Sequence, residues 1–247
     1  MTIETKEDIE KLKIIGKIVA DTLKLMMKEA KVGMSTRELD NIGAAYLDSF
    51  GAKSAPLLTY NFPGATCISI NEEVAHGLPG ERLLQDGDLI NVDVSAELGG
   101  YFADTGGSFV LGKSTPDQKR VMKATREALN AAMEVARAGA KLNLIGKAVE
   151  KVARKHQLKV IENLGSHGVG RALHEEPGFI ANYFDPEDQR VLHEGQVITI
   201  EPFLSTKTTW CEESNDGWTL LCEKGNLAAQ YEHTMIITKH RPIIVTA

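Results

Sequence analysis

The 247-residue sequence is short of cysteine, of aromatic residues, of positive charge and of long apolar runs, and each shortage removes a class of protein. Its three cysteines, Cys67, Cys211 and Cys222, are odd in number and show no CxxC spacing. That pattern indicates neither a disulfide framework nor a zinc ribbon and leaves free thiols as the expectation. A formal net charge of -6 offers no basic field to a phosphate backbone, so nucleic acid is not expected as the main ligand. No stretch approaches the roughly 20 apolar residues that cross a bilayer, and residues 1–13 lack a basic-then-apolar leader. The expectation is a cytoplasmic protein without membrane association. With 43% hydrophobic and 25% charged residues the chain has the composition of a globular protein, expected to fold as one unit over 1–247.

Within those limits the chain alternates helical and strand-like stretches. Ile9, Leu12, Val19, Leu23, Met26 and Met27 recur at helical spacing, predicting an amphipathic helix over Thr5–Lys31 with Thr5 as its cap. Ser35-Thr36-Arg37-Glu38 has capping-box form and opens a second helix that Gly51 can end. Residues 65–112 are β-rich, with strands predicted over Thr66–Ile70, Asp88–Ser95 and Tyr101–Leu111. Thr115, Pro116 and Gln118 then start a helix to about Ala138, and another runs from about Leu144 to His156. Val197–Leu204 and Gln230–Thr238 are the clearest later strands. An offset of 106 positions pairs Leu23 with Leu129, Met27 with Met133, Ala30 with Ala136, Gly33 with Gly139 and Leu39 with Ile145. It suggests two halves, about 1–112 and 113–247, whose helices flank a mainly antiparallel sheet; chance agreement of two amphipathic helix pairs is the alternative.

Acids embedded in strand sequence carry the chemistry. Ile90, Val92 and Val94 alternate with Asn91 and Asp93, so Asp93 projects from the face opposite the valines. Folding about Leu98-Gly99 sets Asp93 opposite Asp104. Like charges in that position destabilise a strand pair unless a cation lies between them. Glu201 ends the apolar run Val197–Ile200, Glu232 sits inside Gln230–Ile237, and His167 is followed by Gly168. Each has an ordinary alternative when taken singly: aspartates facing solvent near a turn, glutamates on wetted edge strands, a structural histidine. Together the five offer many oxygens and one nitrogen, a set suited to two divalent ions such as manganese, iron, cobalt or zinc.

These residues lie in seven ordered motifs: Cys67-Ile68-Ser69-Ile70-Asn71-Glu72 with Ala75-His76-Gly77, Asn91-Val92-Asp93-Val94, Ala103-Asp104-Thr105, His167-Gly168-Val169-Gly170, His174-Glu175-Glu176-Pro177, Thr199-Ile200-Glu201-Pro202 and Gln230-Tyr231-Glu232-His233-Thr234. Over nearly the whole chain the sequence resembles the type I methionine aminopeptidases. The resemblance implies an α+β "pita-bread" fold with internal pseudo-twofold symmetry. It implies that Asp93, Asp104, His167, Glu201 and Glu232 hold two metal ions. It further implies that His76, His174 and Glu201 act in catalysis, and that Tyr60, Phe62, Cys67 and Trp218 join the two histidines in binding a substrate methionine. The partners implied are nascent polypeptide N-termini bearing free methionine, with the ribosome as a candidate contact and a monomer as the working form. Two positions depart from the bacterial pattern, Thr59 and Leu173, each where an aromatic residue is frequent, and they put the pocket's shape in question. Rival readings are an aminopeptidase of the same fold with another first-residue preference, and a non-catalytic peptide-binding homologue.

Overall fold

The computed structural model describes every residue from Met1 to Ala247. Its helices are α1 (Lys6–Glu29), α2 (Thr36–Ser49), α3 (Ala55–Tyr60), α4 (Pro116–Val135) and α5 (Asn143–Lys155), and all strand pairings are antiparallel. Three helices begin as their sequences dictate. Thr5, Ser35 and Thr115 each accept a hydrogen bond from the N–H three residues on, while Asp8, Glu38 and Gln118 accept one from the cap's own N–H. These reciprocal bonds satisfy amides that a helix start otherwise leaves unpaired. The short α3 was not expected. Ser54 caps it and Pro56 lies in its first turn, but six residues are too few to show a helical period. No helix is long and apolar enough to cross a membrane.

The repeat at an offset of 106 is present in the geometry. Gly33 and Gly139 follow α1 and α4 with φ of 86° and 85°, a left-handed conformation that glycine adopts freely. Gly33 N–H donates to the Leu84 carbonyl at 2.8 Å, and Gly139 N–H to that of Leu192 at 2.9 Å. Bridges Ser35–Leu83 and Lys141–Val191 come next in each half. Each helix pair then covers its own β-ribbon. Under α1 and α2 lie 23 buried apolar residues, including Leu12, Ile15, Val92 and Val94; under α4 and α5 lie 22, including Val121, Ile145, Ile198 and Met235. Two cores of nearly equal size support two ribbons that meet edge to edge.

The first ribbon pairs Leu89–Leu98 with Tyr101–Val110. Its turn is made by Gly99 and Gly100, with φ of 60° and 82°, the backbone a two-residue turn between right-twisted strands requires. The pairing centre therefore lies between the two glycines, not at Leu98-Gly99, and the expected register is corrected: Asp93 faces Gly106, and Asp104 faces Ser95. Asp93 and Asp104 still share a face, as diagonal neighbours, because residues two apart on a strand point the same way.

The second ribbon was expected as two unbroken strands, Val197–Leu204 and Gln230–Thr238. Both are interrupted. Val197–Ile200 pairs with His233–Ile236, and Phe203–Ser205 pairs with Ala228–Gln230, in a single register. The gap holds Glu201-Pro202 on one strand and Tyr231-Glu232 on the other, so Glu201 falls opposite Glu232. Pro202 has no N–H to give the ladder, which accounts for half of the break. The other half is lateral pairing: Glu232 N–H donates to Gly106 O at 3.0 Å, and Tyr231 bridges to Gly107.

Candidate metal centre and substrate cavity

That lateral pairing brings the acids of both ribbons together. Thr234 Oγ1 accepts from Asp104 N–H at 2.9 Å and donates to Asp104 O at 2.7 Å, and Thr105 Oγ1 donates to Glu232 O at 2.8 Å. His167 comes from the neighbouring Gly165–Gly168 strand, which also pairs with the second ribbon. One ligand atom from each of Asp104, His167 and Glu232 lies within 4.8 Å of the others. His167 Nε2 is 3.4 Å from Glu201 Oε1 and 3.9 Å from Asp104 Oδ2. Asp93, Asp104, His167 and Glu201 all line one cavity of about 110 Å³, with Glu232 behind them. Four of the five residues singled out in the sequence therefore line one cavity, and the fifth, Glu232, offers an oxygen within 4.8 Å of ligand atoms of Asp104 and His167.

Electrostatics there are adverse to a bare protein. Burial raises Asp104 well above the usual carboxylate range, with Glu232 and then Asp93 adding repulsion. Burial does the same to Glu201, helped by Asp93 and Asp104, and to Glu232, helped by Glu201 and Asp93. Asp93 is pushed up to about 6 by burial, partly offset by a hydrogen bond from Asp104. His167 is held down at about 3, by burial and then by His174. Its Nδ1 lies 2.9 Å from the Gly168 carbonyl, which can only accept, so Nδ1 carries the proton and Nε2 presents a lone pair to the acids. Buried Asp104 Oδ1 and Glu232 Oε1 have no hydrogen-bond partner. Lone pairs converging on unpartnered carboxylate oxygens are repulsive until a cation sits between them, and buried polar atoms are rarely left orphaned. The donor set fits divalent metal.

Supporting bonds orient these donors. Gln230 Nε2 donates to Glu232 Oε2 at 3.0 Å while its Oε1 accepts from Asn91 Nδ2 at 2.9 Å. Gly106 makes room for that carboxamide, since a Cβ there would lie 2.3 Å from Gln230 Oε1. Thr199 Oγ1 accepts from His167 N–H at 3.2 Å, and Ser166 Oγ accepts from Glu201 N–H at 2.9 Å. Reading the sequence assigned none of these roles. Gln230, Thr234 and Thr199 do stand beside the motif acids, and buried polar side chains flanking a buried acid were the available signal.

The rest of the cavity wall includes Tyr60, Phe62, Cys67, His76, His174 and Trp218. Phe62, only 2% exposed, meets the Trp218 edge at a ring separation of 5.2 Å. Cys67 is paired with Asp93 across the sheet, and burial pushes its thiol up. His76 is forced to φ 56° by the turn into Gly77, whose own Cβ would strike the Ile68 carbonyl. That turn holds the imidazole open to the cavity, walled by protein that lowers its basicity. The His174 ring lies 4.1 Å from that of His167, and its Nδ1 is 2.6 Å from the Tyr60 hydroxyl. Leu173 is 3% exposed and lines the cavity, as do Pro56 and Ser95, which the sequence did not single out. Thr59 is a correction: it is exposed on α3 and absent from the lining.

A model of metallopeptidase family M24 matches residues 10–239. The chain belongs to that family. All 247 residues align, at 48% identity, with 98% of the methionine aminopeptidase of Staphylococcus epidermidis, and at 47% with 99% of methionine aminopeptidase 2 of Bacillus subtilis strain 168. The crystal structure of methionine aminopeptidase from Rickettsia prowazekii superposes with a TM-score of 0.94 at 35% identity, each chain fully covered. The pita-bread expectation for the fold is met. As an M24 metallopeptidase the chain requires divalent metal, and the donor set described above is suited to it.

Proposed function

We propose that this M24 enzyme removes the initiator methionine from nascent polypeptides, using two divalent ions held by Asp93, Asp104, His167, Glu201 and Glu232. The observation that carries the reading is the meeting, in one cavity, of Asp93, Asp104, His167 and Glu201 with an aromatic and sulfur wall of Phe62, Cys67 and Trp218. Soft, aromatic surroundings suit a thioether side chain. The likeness to methionine aminopeptidases over the full chain supports the same substrate class.

When bound, the metal supplies Lewis acidity toward a carbonyl oxygen and makes water acidic enough to serve near neutral pH. Glu201 would take the water's proton and pass it to the departing amine; its carboxyl lies 3.4 Å from His167 Nε2 in the cavity lining, which supports that role. His174 and His76 line the same cavity, where the surrounding protein lowers their basicity, and each would donate an N–H to developing negative charge on the substrate oxygen. The whole chain, 1–247, would serve as one catalytic unit made of halves 1–112 and 113–247. It would act as a cytoplasmic monomer on free methionine termini. The native metal is whichever of manganese, iron, cobalt or zinc is recovered with active protein.

The test is elemental analysis of anaerobically prepared protein coupled to peptide assays with first residues Met, Leu, Ala and X-Pro. Methionine-selective release is expected, abolished in Glu201→Gln, and strongly reduced in His174→Ala, which should retain its metal. Preference for another first residue, or wild-type turnover in both variants, would overturn the assignment.

A further inference from the structure

Trp218, one wall of the cavity, is carried by a small hairpin in which Glu212–Glu213 pairs with Leu220–Leu221. Asp216 fixes the turn: its carboxylate accepts from the N–H groups of Trp218 and Thr219 at 2.8 Å each. Outward from that turn, Ser214 N–H bonds Thr219 O, Glu213 faces Leu220 and Glu212 faces Leu221. Continued one step outward, that register sets Cys211 opposite Cys222.

Alternation along an antiparallel ladder makes this last position a non-hydrogen-bonded pair. The two amides agree, since Cys211 N–H donates to Asn163 Oδ1 at 3.1 Å and Cys222 N–H to Glu72 O at 3.0 Å. Residues so paired have Cα atoms about 4.5 Å apart with side chains on one face, inside the roughly 4.4–6.8 Å range that a disulfide spans. Access differs between the two thiols. Cys211 is 2% exposed, whereas Cys222 is partly exposed and lines an open cavity of about 710 Å³ with Trp210, Glu212, Glu213, Asp216 and Glu223.

We propose that Cys211 and Cys222 form a latent cross-strand disulfide, closed by a small uncharged peroxide, that latches the hairpin bearing Trp218 and holds the wall of the methionine cavity. The assignment of that wall to methionine rests on the function proposed above. Four carboxylates around Cys222 repel anionic oxidants such as glutathione disulfide and admit neutral ones. The Cys222 sulfur attacks one peroxide oxygen, the O–O bond breaks, and a sulfenic acid and hydroxide result. Cys211 sulfur then attacks Cys222 sulfur, forming the S–S bond and expelling the second oxygen as water. Two thiols lose two electrons and two protons, and the peroxide becomes two waters. Burial, with Cys211 and Glu223 adding to it, holds the Cys222 thiol up at about 12, so closure is slow and needs sustained oxidant.

The metal-loaded enzyme is treated with hydrogen peroxide, its remaining thiols are blocked under denaturing conditions, and its peptides are mapped by mass. A dithiothreitol-reversible link between Cys211 and Cys222 is expected, with Cys67 free. The linked enzyme should keep its kcat/KM on a methionyl peptide, and cleavage of the hairpin by a glutamate-specific protease should slow severalfold. Cys222→Ser should stay active, form no link and gain no protection, which also separates the latch from oxidation at the metal centre. Three free thiols after treatment, a link through Cys67, or turnover lost only in the linked enzyme would each overturn the proposal. Mapping and proteolysis do not depend on peptidase activity, so a failure of the functional reading would be seen separately.

Discussion

The two ribbons reach the same end by opposite means. In the first, ten consecutive pairs run without interruption, and the register leaves Asp93 and Asp104 as diagonal neighbours on one face. The second sets Glu201 opposite Glu232, the arrangement an intact ladder tolerates least, and its ladder is open at that point. The backbone released there is not wasted, because Glu232 N–H bonds Gly106 of the first ribbon. A regular ribbon supplies a rigid platform, and a broken one supplies both the second pair of acids and the seam that joins the halves. The like charges so assembled are tolerable only with metal among them.

The largest effect should come from removing one acid of the first ribbon. Asp104→Asn keeps the shape and deletes the charge. Loss of partners that merely orient metal ligands lowers affinity or activity by about 10–100-fold, so loss of a ligand should exceed about 100-fold. Metal analysis and a methionyl-peptide assay would show it. The same substitution should raise the melting temperature of the metal-free protein, because it relieves repulsion from Glu232 and Asp93. A variant that stays loaded and active would remove Asp104 from the site.

Stripping the metal should expose the repulsion directly as a pH dependence. Asp104, Glu201 and Glu232 bind protons in the folded state well above the usual carboxylate range, and Asp93 does so at about 6. A carboxyl raised by folding stabilises while protonated, and that contribution is lost as pH climbs from its unfolded value through its folded one. His76, His167, His174 and His233 act in the other direction, since folding depresses them. Their contribution grows with pH only up to the unfolded histidine value of about 6.5. In the window above that value the raised carboxyls, joined by the raised thiols as pH nears the free cysteine value of about 8.5, should slope downward, costing up to about 1.4 kcal/mol per pH unit for each group titrating. Denaturant melts should fall across that window for metal-free protein and stay flat for loaded protein until the thiols titrate. A flat metal-free curve would mean that the acids are not strained against one another.

Gly106 and Gly107 refine the comparison at the seam. A Cβ on Gly106 would lie 2.3 Å from Gln230 Oε1, whereas one on Gly107 would find only ordinary contacts at 3.6 Å and beyond. Gly106→Ala should displace Gln230 from Glu232 and weaken metal binding by about 10–100-fold, while Gly107→Ala should leave a metal titration unchanged. Equal behaviour of the two would show that Gln230 does not orient Glu232.

Much of this was readable from residues. Thr5, Ser35 and Thr115 announced their helices because capping chemistry is local, and the five donors stood out because acids inside apolar strands need a reason. What the sequence hid is set by neighbours far along the chain. The break at Tyr231-Glu232 depends on Gly106, more than a hundred residues away, and apolar alternation runs through it as if the strand continued. The ribbon's register turned on which residues take positive φ, and the adjacent Leu98-Gly99-Gly100 allowed more than one centre. In α3, Pro56-Leu57-Leu58 is too short to carry a period, so the side of Thr59 was invisible.

Thr59 and Leu173 supply the smallest and most discriminating contrast, because resemblance marked both as unusual and the structure separates them. Leu173 is buried on the cavity wall beside His174, so Leu173→Phe adds bulk where packing is already tight. Overpacking of that kind costs typically about 1–3 kcal/mol, and if part of it falls on the bound methionine, KM should rise with kcat little changed. Thr59 is exposed on α3 and is not part of the lining. Substituting an exposed residue that makes no such contact shifts stability by no more than about 0.5 kcal/mol, so Thr59→Ala should leave both KM and kcat at their original values. If steady-state kinetics instead show Thr59→Ala raising KM as much as Leu173→Phe does, α3 must turn its other face to the cavity when substrate enters, and the wall drawn from Phe62, Cys67 and Trp218 would have to be redrawn around it.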